Sequence, residues 1–183
     1  IAQLIIAAIP IIAGIGIAFI NSPFNGILDL SHPQIVFNFL GQTRSLWLLS
    51  DLFALFWIVF MMNMLNMGAK GVDGQLPGTV AVAAITIAII SLRYSADIAQ
   101  WPVIILAAAV AGSYLGFLPY NFSPQKIMPG YGGKTLAGFL LAVLSILSGA
   151  KLATAILVLG IPLTDAVFVV LQRIKNGKAP FLG

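Results

Sequence analysis

The chain has 183 residues, of which 60% are hydrophobic and only 8% charged, with a mean hydropathy of +1.06. Soluble domains are about half apolar and a quarter charged, so this composition excludes an ordinary water-soluble protein and indicates an integral membrane protein. The formal charge of +4 reports orientation and anionic headgroups rather than nucleic acid, and the lack of cysteine excludes disulfides and thiolate chemistry.

Apolar runs cover residues 1–20, 46–67, 78–92, 101–118, 135–150 and 152–171. Most approach the ~20 residues needed to cross ~30 Å of hydrocarbon. Runs such as AVAAITIAII and LATAILVLG do not alternate apolar with polar residues, as strands of a transmembrane barrel would. The predicted fold is therefore all-α: a polytopic bundle of about six transmembrane helices in one domain, 1–183, embedded in the lipid bilayer, with no nucleic-acid partner. The fifth and sixth runs are separated only by Gly149, Ala150 and Lys151, which reads as a tight hairpin or as one long, broken helix.

The chain starts at Ile1 without Met or the marks of a signal peptide, and RIKNGKAPFLG at its other end stops in a basic loop, so a fragment of a longer protein is expected. Between the first two runs, residues 21–45 carry turn formers at Pro23, Asn25 and Gly26 and predict a small extracytoplasmic hairpin. His32, the single histidine, reads as a solvated loop residue because no further ligand-type side chains cluster near it. With Ile1 on the cytoplasmic side, Lys70, Lys126, Lys134, Arg173, Lys175 and Lys178 fall on that side, against Arg44, Arg93 and Lys151 opposite. The positive-inside bias thus places the three informative loops in the cytoplasm, in a multi-pass inner-membrane protein.

The first of these loops follows the second run: NMLNMGAKGVDGQLPG, residues 63–78. Polar residues beside a span are costly unless water or a ligand reaches them. Asn63 and Asn66 lie one helical turn apart on one face, and their amides can both donate and accept, as a sugar or a uracil requires. There are five carboxylates, all Asp: Asp29, Asp51, Asp73, Asp97 and Asp165. Asp73 alone falls in a cytoplasmic loop, where Gly71 and Gly74 let the backbone bend close to a ligand. Asp51 is expected to snorkel or hydrogen-bond locally, and Asp165, after the helix-kinking Pro162, to make a structural polar contact.

The second loop, PYNFSPQKIMPGYGGK at 119–134, feeds directly into a helix. Gly132, Gly133, Lys134 and Thr135 look like the tail of a P-loop, but Met128 stands where the fuller pattern needs Gly and no strand precedes, so an NTPase is rejected. What remains is a glycine-rich turn whose unpaired N–H groups, with the Lys134 charge, suit a phosphate or pyrophosphate; the plain alternative is a turn between two spans.

Three segments in order resemble one family, the polyprenyl-phosphate N-acetylhexosamine-1-phosphate transferases (glycosyltransferase family 4). The family pattern N-x-x-N then D-G-x-D-G-L-A-x-G resembles Asn63, Asn66 and KGVDGQLPG at 70–78. GFLPYNFSPQKIMPGYGGKTLAGF at 116–139 resembles G-F-L-x-Y-N-F-x-P-A-K-I-F-M-G-D-x-G-S-x-x-L-G-F, and IPLTDAVFVVLQRIKNGKAPF at 161–181 resembles I-P-x-x-D followed by an Arg and a basic P-F loop.

The resemblance implies transfer of a sugar phosphate from a UDP-N-acetylhexosamine to a membrane polyprenyl phosphate, with release of UMP and with Mg²⁺ at the cytoplasmic face. It further implies Asp73 and Lys70 as catalytic, Asp73 as a metal ligand, and Asn63, Asn66, Gly74, Asn121, Lys126, Gly130, Tyr131, Lys134 and Arg173 as substrate-binding. A homodimer is left open as a partner. The departures are Lys70 and Tyr131 at two Asp positions of the family and Lys134 at a Ser position. They shift the loops towards positive charge, which weakens a Mg²⁺ site and strengthens phosphate binding, with Lys70 and Lys134 expected on the diphosphate. The family's paired Asp residues and its histidine-rich loop fall outside the chain, so by itself it is expected to be an incomplete catalyst. Two alternatives stand beside this reading: a degenerate relative that binds without turnover, and an unrelated multi-span transporter. The latter should place its helix breaks near the bilayer midplane, whereas the polar blocks here sit at the ends of runs.

Overall fold

A computed structural model describes residues 2–17, 19–22, 26–30, 33–39, 42–68, 73–148 and 160–177. The elements in chain order are α1 (Ala2–Ile12), β1 (Phe19–Ser22), β2 (Gly26–Asp29), β3 (Gln34–Phe39), β4 (Gln42–Trp47), α2 (Leu48–Gly68), α3 (Gln75–Arg93), α4 (Gln100–Asn121), α5 (Tyr131–Leu147) and α6 (Gly160–Lys175). Among the described residues three helices are long and apolar enough to cross a membrane: Leu48–Met67, Gln75–Arg93 and Gln100–Asn121. Ala2–Ile12 and Tyr131–Leu147 are shorter apolar helices. The chain is a helical membrane protein.

The first apolar run departs from expectation, because it is helical only to Ile12. The Gly14 N–H donates to Ile11 O (2.8 Å) and the Ile15 N–H to Pro10 O (2.9 Å), with Gly14 at φ 93°, and this pair of bonds closes the helix as a Schellman turn. The chain then enters two antiparallel hairpins where one was expected, pairing Phe19 with Asp29 and Gln34 with Trp47 at their open ends. The Leu48 N–H donates to Pro33 O (3.1 Å), and Asp51 Oδ2 accepts from the Trp47 N–H (3.1 Å), so the second hairpin runs straight into α2 and Asp51 bonds locally at its start. His32 and the junction 149–159, including Lys151, lie outside the described residues.

Helices α2 and α5 form one packed pair, α3 and α4 another; α5 also touches α3 and α4, while α1 and α6 lie on α2. The core joins Trp57, Ile58, Met61 and Leu65 of α2 to Leu141 and Leu144 of α5, with Val80, Ala84, Ala107 and Val110 from the other pair. Alanines at 83, 84, 107 and 111 let α3 and α4 approach closely, the means by which helices gain packing energy when lipid is as apolar as their side chains. Leu52, Phe56, Ile89 and Ile105 point outward, so these helices are apolar all round, as a membrane span requires.

The tightest seam is between α2 and α5. A Cβ on Gly138 would lie 2.5 Å from both Met61 O and Met62 Cα, so the two backbones are in contact. Nearer the other end of the pair, Trp57 Nε1 donates to Ser145 Oγ (3.0 Å), and the Ser145 hydroxyl in turn donates to Ala142 O (2.7 Å). With Trp57 opposite Ser145 and Met61–Met62 opposite Gly138, α2 and α5 run antiparallel.

Gly138→Ala forces these backbones apart, because neither of the facing atoms belongs to a side chain that can rotate away. A loss of about 1–3 kcal/mol is expected from this overpacking, read as a lowered unfolding midpoint of the purified protein in detergent or nanodiscs.

Candidate functional site at one end of the bundle

Antiparallel packing brings together the start of α1, the end of α2, the start of α3, the end of α4 and the start of α5. Two polar knots hold them. In the first, Asn121 is 3% exposed; its Oδ1 accepts from the Gly74 N–H (3.2 Å) and its Nδ2 donates to Ile127 O (2.9 Å). Tyr120 O accepts from the Lys126 N–H (3.0 Å) and the Ile127 N–H (3.1 Å), which folds 122–127 back onto α4. Gly74 is buried at φ 80°, and a Cβ there would sit 2.8 Å from the Phe122 ring, so both backbone and space demand glycine. The outcome is a fixed turn that carries Asp73 exposed at the rim of the bundle.

In the second knot, Gln3 Nε2 donates to Asn63 Oδ1 (3.4 Å) and to the Tyr131 hydroxyl (3.0 Å). Asn63 Nδ2 donates back to Gln3 Oε1 (3.1 Å) and to Val59 O (2.7 Å). These bonds tie α1, α2 and α5 together. A third contact, from the Tyr114 hydroxyl to Gly133 O (3.2 Å), joins α4 to the start of α5.

The expected site residues thus divide. Asn121 and Asn63 belong to this end but work as struts, with amides already engaged inside the protein rather than open to a ligand. Asn66, half-buried, has no side-chain hydrogen bond among the described residues. Lys134 is only 7% exposed, and among the described residues its ammonium has neither a hydrogen bond nor an ion pair. Lys134 precedes Gly138, and Asn66 follows Met62, by one turn each, so both sit about 6 Å beyond the backbone contact towards the same end. Lys126 and Gly130 lie exposed on the loop before α5, and Tyr131 is 62% exposed at its first position. Lys70 lies outside the described residues, as does the side chain of Arg173, whose backbone belongs to α6. Gln3 escaped the sequence reading: a single amide in an apolar run, it is revealed only by its partners on α2 and α5.

The residues described do not fit Mg²⁺. Among them no three His, Cys, Asp or Glu side chains gather. Among the described side chains Asp73 is the carboxylate at this end, while Asp51 and Asp97 sit beside the opposite ends of α2 and α3; the side chain of Asp165 lies outside the described residues. The α5 position expected to supply a second carboxylate carries the neutral Tyr131 phenol, and the Lys134 ammonium follows one turn later. Mg²⁺ takes hard oxygen ligands, commonly carboxylates, and a nearby ammonium opposes it.

Between α4 and α5 opens an apolar groove of about 540 Å³, lined by Leu106, Val110, Phe117, Met128, Leu136 and Leu140 among others. It ends against Pro129 and Gly133, beside the first turn of α5.

The family model described as Glycosyl transferase family 4 matches residues 1–149. The chain belongs to this family. Among curated proteins, it is 34% identical over 126 residues to the probable undecaprenyl-phosphate N-acetylglucosaminyl 1-phosphate transferase of Bacillus subtilis (strain 168), covering 66% of this chain and 34% of the relative. It is 36% identical over 110 residues to the phospho-N-acetylmuramoyl-pentapeptide-transferase of Enterococcus hirae, covering 60% of this chain and 33% of the relative. Similarity to the decaprenyl-phosphate N-acetylglucosaminephosphotransferase of Mycobacterium leprae (strain TN) is 25% over 200 residues, 98% of this chain and 47% of the relative. The chain therefore spans about a third to a half of the length of these relatives. The segments 63–78 and 116–139 fall inside the family 4 match, whereas 161–181 lies beyond it and is reached by the M. leprae similarity.

Asn121→Ala leaves the Gly74 N–H and the Ile127 carbonyl without their partner in a buried setting. A destabilisation of about 1–3 kcal/mol is expected. Hydrogen exchange of the full-length protein should report it, with faster exchange confined to the Gly74 turn and the 122–127 segment.

Proposed function

We propose that the full-length protein transfers an N-acetylhexosamine 1-phosphate from a UDP-sugar to a membrane polyprenyl phosphate. A phosphate oxygen of the acceptor attacks the sugar-bearing phosphorus. The bond from that phosphorus to the bridging oxygen breaks, and UMP departs with the electron pair, leaving a lipid diphosphate sugar. Membership of family 4 and the names of the similar transferases support the reaction class.

The observation that carries the reading is the open pair at the α2–α5 seam. Lys134 is 7% exposed and its ammonium has no hydrogen bond or ion pair among the described residues, and Asn66 presents an uncommitted amide at the same level of the bundle. A diphosphate needs such a cation where charge builds on the departing UMP, and a sugar or uracil needs a group that both donates and accepts. The apolar groove along α4 and α5 suits a hydrocarbon chain, from the acceptor or from surrounding lipid, running to the same end of the bundle. In this reading Asp73 and Lys70 act at the reacting centre, and Lys126 and Arg173 form a cationic fringe for acceptor phosphate and headgroups. The excess of Lys and Arg at this end supports a cytoplasmic site on a multi-pass protein of the inner membrane, with the hairpins outside.

The test uses the full-length protein in nanodiscs with UDP-N-acetylglucosamine and undecaprenyl phosphate. UMP and a lipid-linked sugar should form in equal amounts, and Lys134→Met should lower kcat by roughly 100-fold or more, the scale seen when one preorganised stabilising group is removed. Asn66→Ala should chiefly raise KM. Absence of lipid-linked product with either common UDP-N-acetylhexosamine, glucosamine or galactosamine, would overturn the assignment.

A further inference from the structure

We propose that the groove between α4 and α5 is a site for a non-substrate anionic phospholipid, whose acyl chain fills the groove and whose headgroup phosphate lies on Lys126. The proposal stands apart from the transferase reading, because it concerns the far side of α5.

Along α4 the lining runs from Leu106 to Phe117, 11 positions and so about 16 Å of helix, roughly half of the ~30 Å hydrocarbon core. It stops short at the end remote from the candidate site: α4 starts at Gln100, six residues before Leu106, and on α5 the lining ends at Leu140 although the helix continues to Leu147. A transmembrane helix, from a partner or a second copy, would run the whole span. An acyl chain entering from one leaflet covers about this depth. The groove is also preformed, since the Tyr114 hydroxyl donates to Gly133 O (3.2 Å) across its walls, while Ile127, Met128 and Pro129 close its candidate-site end.

The side of α5 that lines the groove excludes the acceptor substrate. Leu136 and Leu140 follow Lys134 and Gly138 by two positions each, which puts them about 160° around the helix from the α2 seam. A lipid phosphate above the groove therefore stands behind α5, away from the Lys134–Asn66 level.

Charge at the mouth selects the headgroup. Segment 122–130, FSPQKIMPG, carries one charge, Lys126, and no carboxylate. The Lys126 and Ile127 N–H groups both donate to Tyr120 O (3.0 and 3.1 Å), which pins Lys126 one Cα step, about 3.8 Å, from the groove residue Ile127. Its side chain is exposed, with no hydrogen bond or ion pair among the described residues. Tyr120 and Phe122 beside it are also exposed, aromatics of the kind that sit at headgroup level. A lysine at that level attracts anionic lipid. Once seated, the lipid touches both α4 and the 127–129 segment and buttresses the approach to α5.

Photo-crosslinking tests the site on the full-length protein in phosphatidylcholine nanodiscs, doped with a trace of phosphatidylglycerol or phosphatidylcholine that carries a diazirine in its acyl chain. Peptide mapping should find the phosphatidylglycerol label on Leu106, Phe117, Leu136 or Leu140. Lys126→Gln should lower that label about five-fold, the effect of one lysine near an anionic headgroup, and leave the phosphatidylcholine label unchanged. Ala109→Phe and Ser113→Phe, each adding a ring at an exposed lining position, should each remove the groove label while the lipid-facing Ile89 of α3 is still labelled, which reports an intact fold. Three results overturn the proposal: a groove free of label while Ile89 is labelled, as when another protein segment fills it; labelling indifferent to headgroup and to Lys126→Gln; and displacement of the label by undecaprenyl phosphate more effectively, mole for mole, than by unlabelled phosphatidylglycerol, which would give the groove to the acceptor.

Discussion

The backbone contact between α2 and α5 at Gly138 sets the geometry of the end that holds the candidate site. With no side chain between them, the two helices meet at Met61 and Met62, and the Trp57–Ser145 hydrogen bond fixes how far one can slide along the other. A slide of a single turn would move Lys134 about 5.4 Å from the level of Asn66. Helix association in lipid has little hydrophobic drive and depends on close packing and a few interhelical hydrogen bonds, so such a seam is where precision of this kind originates.

Polar groups at that end have two distinct duties. Asn121, Asn63, Gln3 and the Gly74 N–H bond to one another's elements and hold the loops rigid. Asn66, Asp73, Lys134 and the start of α5 are left open. An unengaged amide deep among helices is costly, and Asn121, Asn63 and Gln3 are accordingly consumed in struts, although Gln75 Oε1 at the start of α3 is buried without a hydrogen bond. Rigid struts behind open groups suit the proposed phosphate transfer, since donors already in place need no reorganisation during such a reaction.

Tyr131 and Lys134 share the first turn of α5, where the phenol is held by Gln3 and the lysine is 7% exposed, so this turn offers no carboxylate to a metal ion.

Composition and hydropathy alone determined that this is a membrane helix bundle, because the cost of exposed backbone in hydrocarbon leaves few other solutions for such apolar runs. The order of motifs also marked the family and the two loops that matter, since Asn, Asp, Gly and Lys are conspicuous against an apolar background. Sequence could not show that the first run closes at Gly14 or that two hairpins follow it, for those depend on local carbonyl pairing and strand register rather than on hydropathy. Nor could it separate Asn63 from Asn66, identical residues one turn apart. Only the tertiary structure brought Gln3 across to Asn63 and Tyr131 and left Lys134 largely buried with no partner among the described residues, because both facts depend on which helix faces which, and in a bundle apolar on every side that choice is made by packing between distant segments.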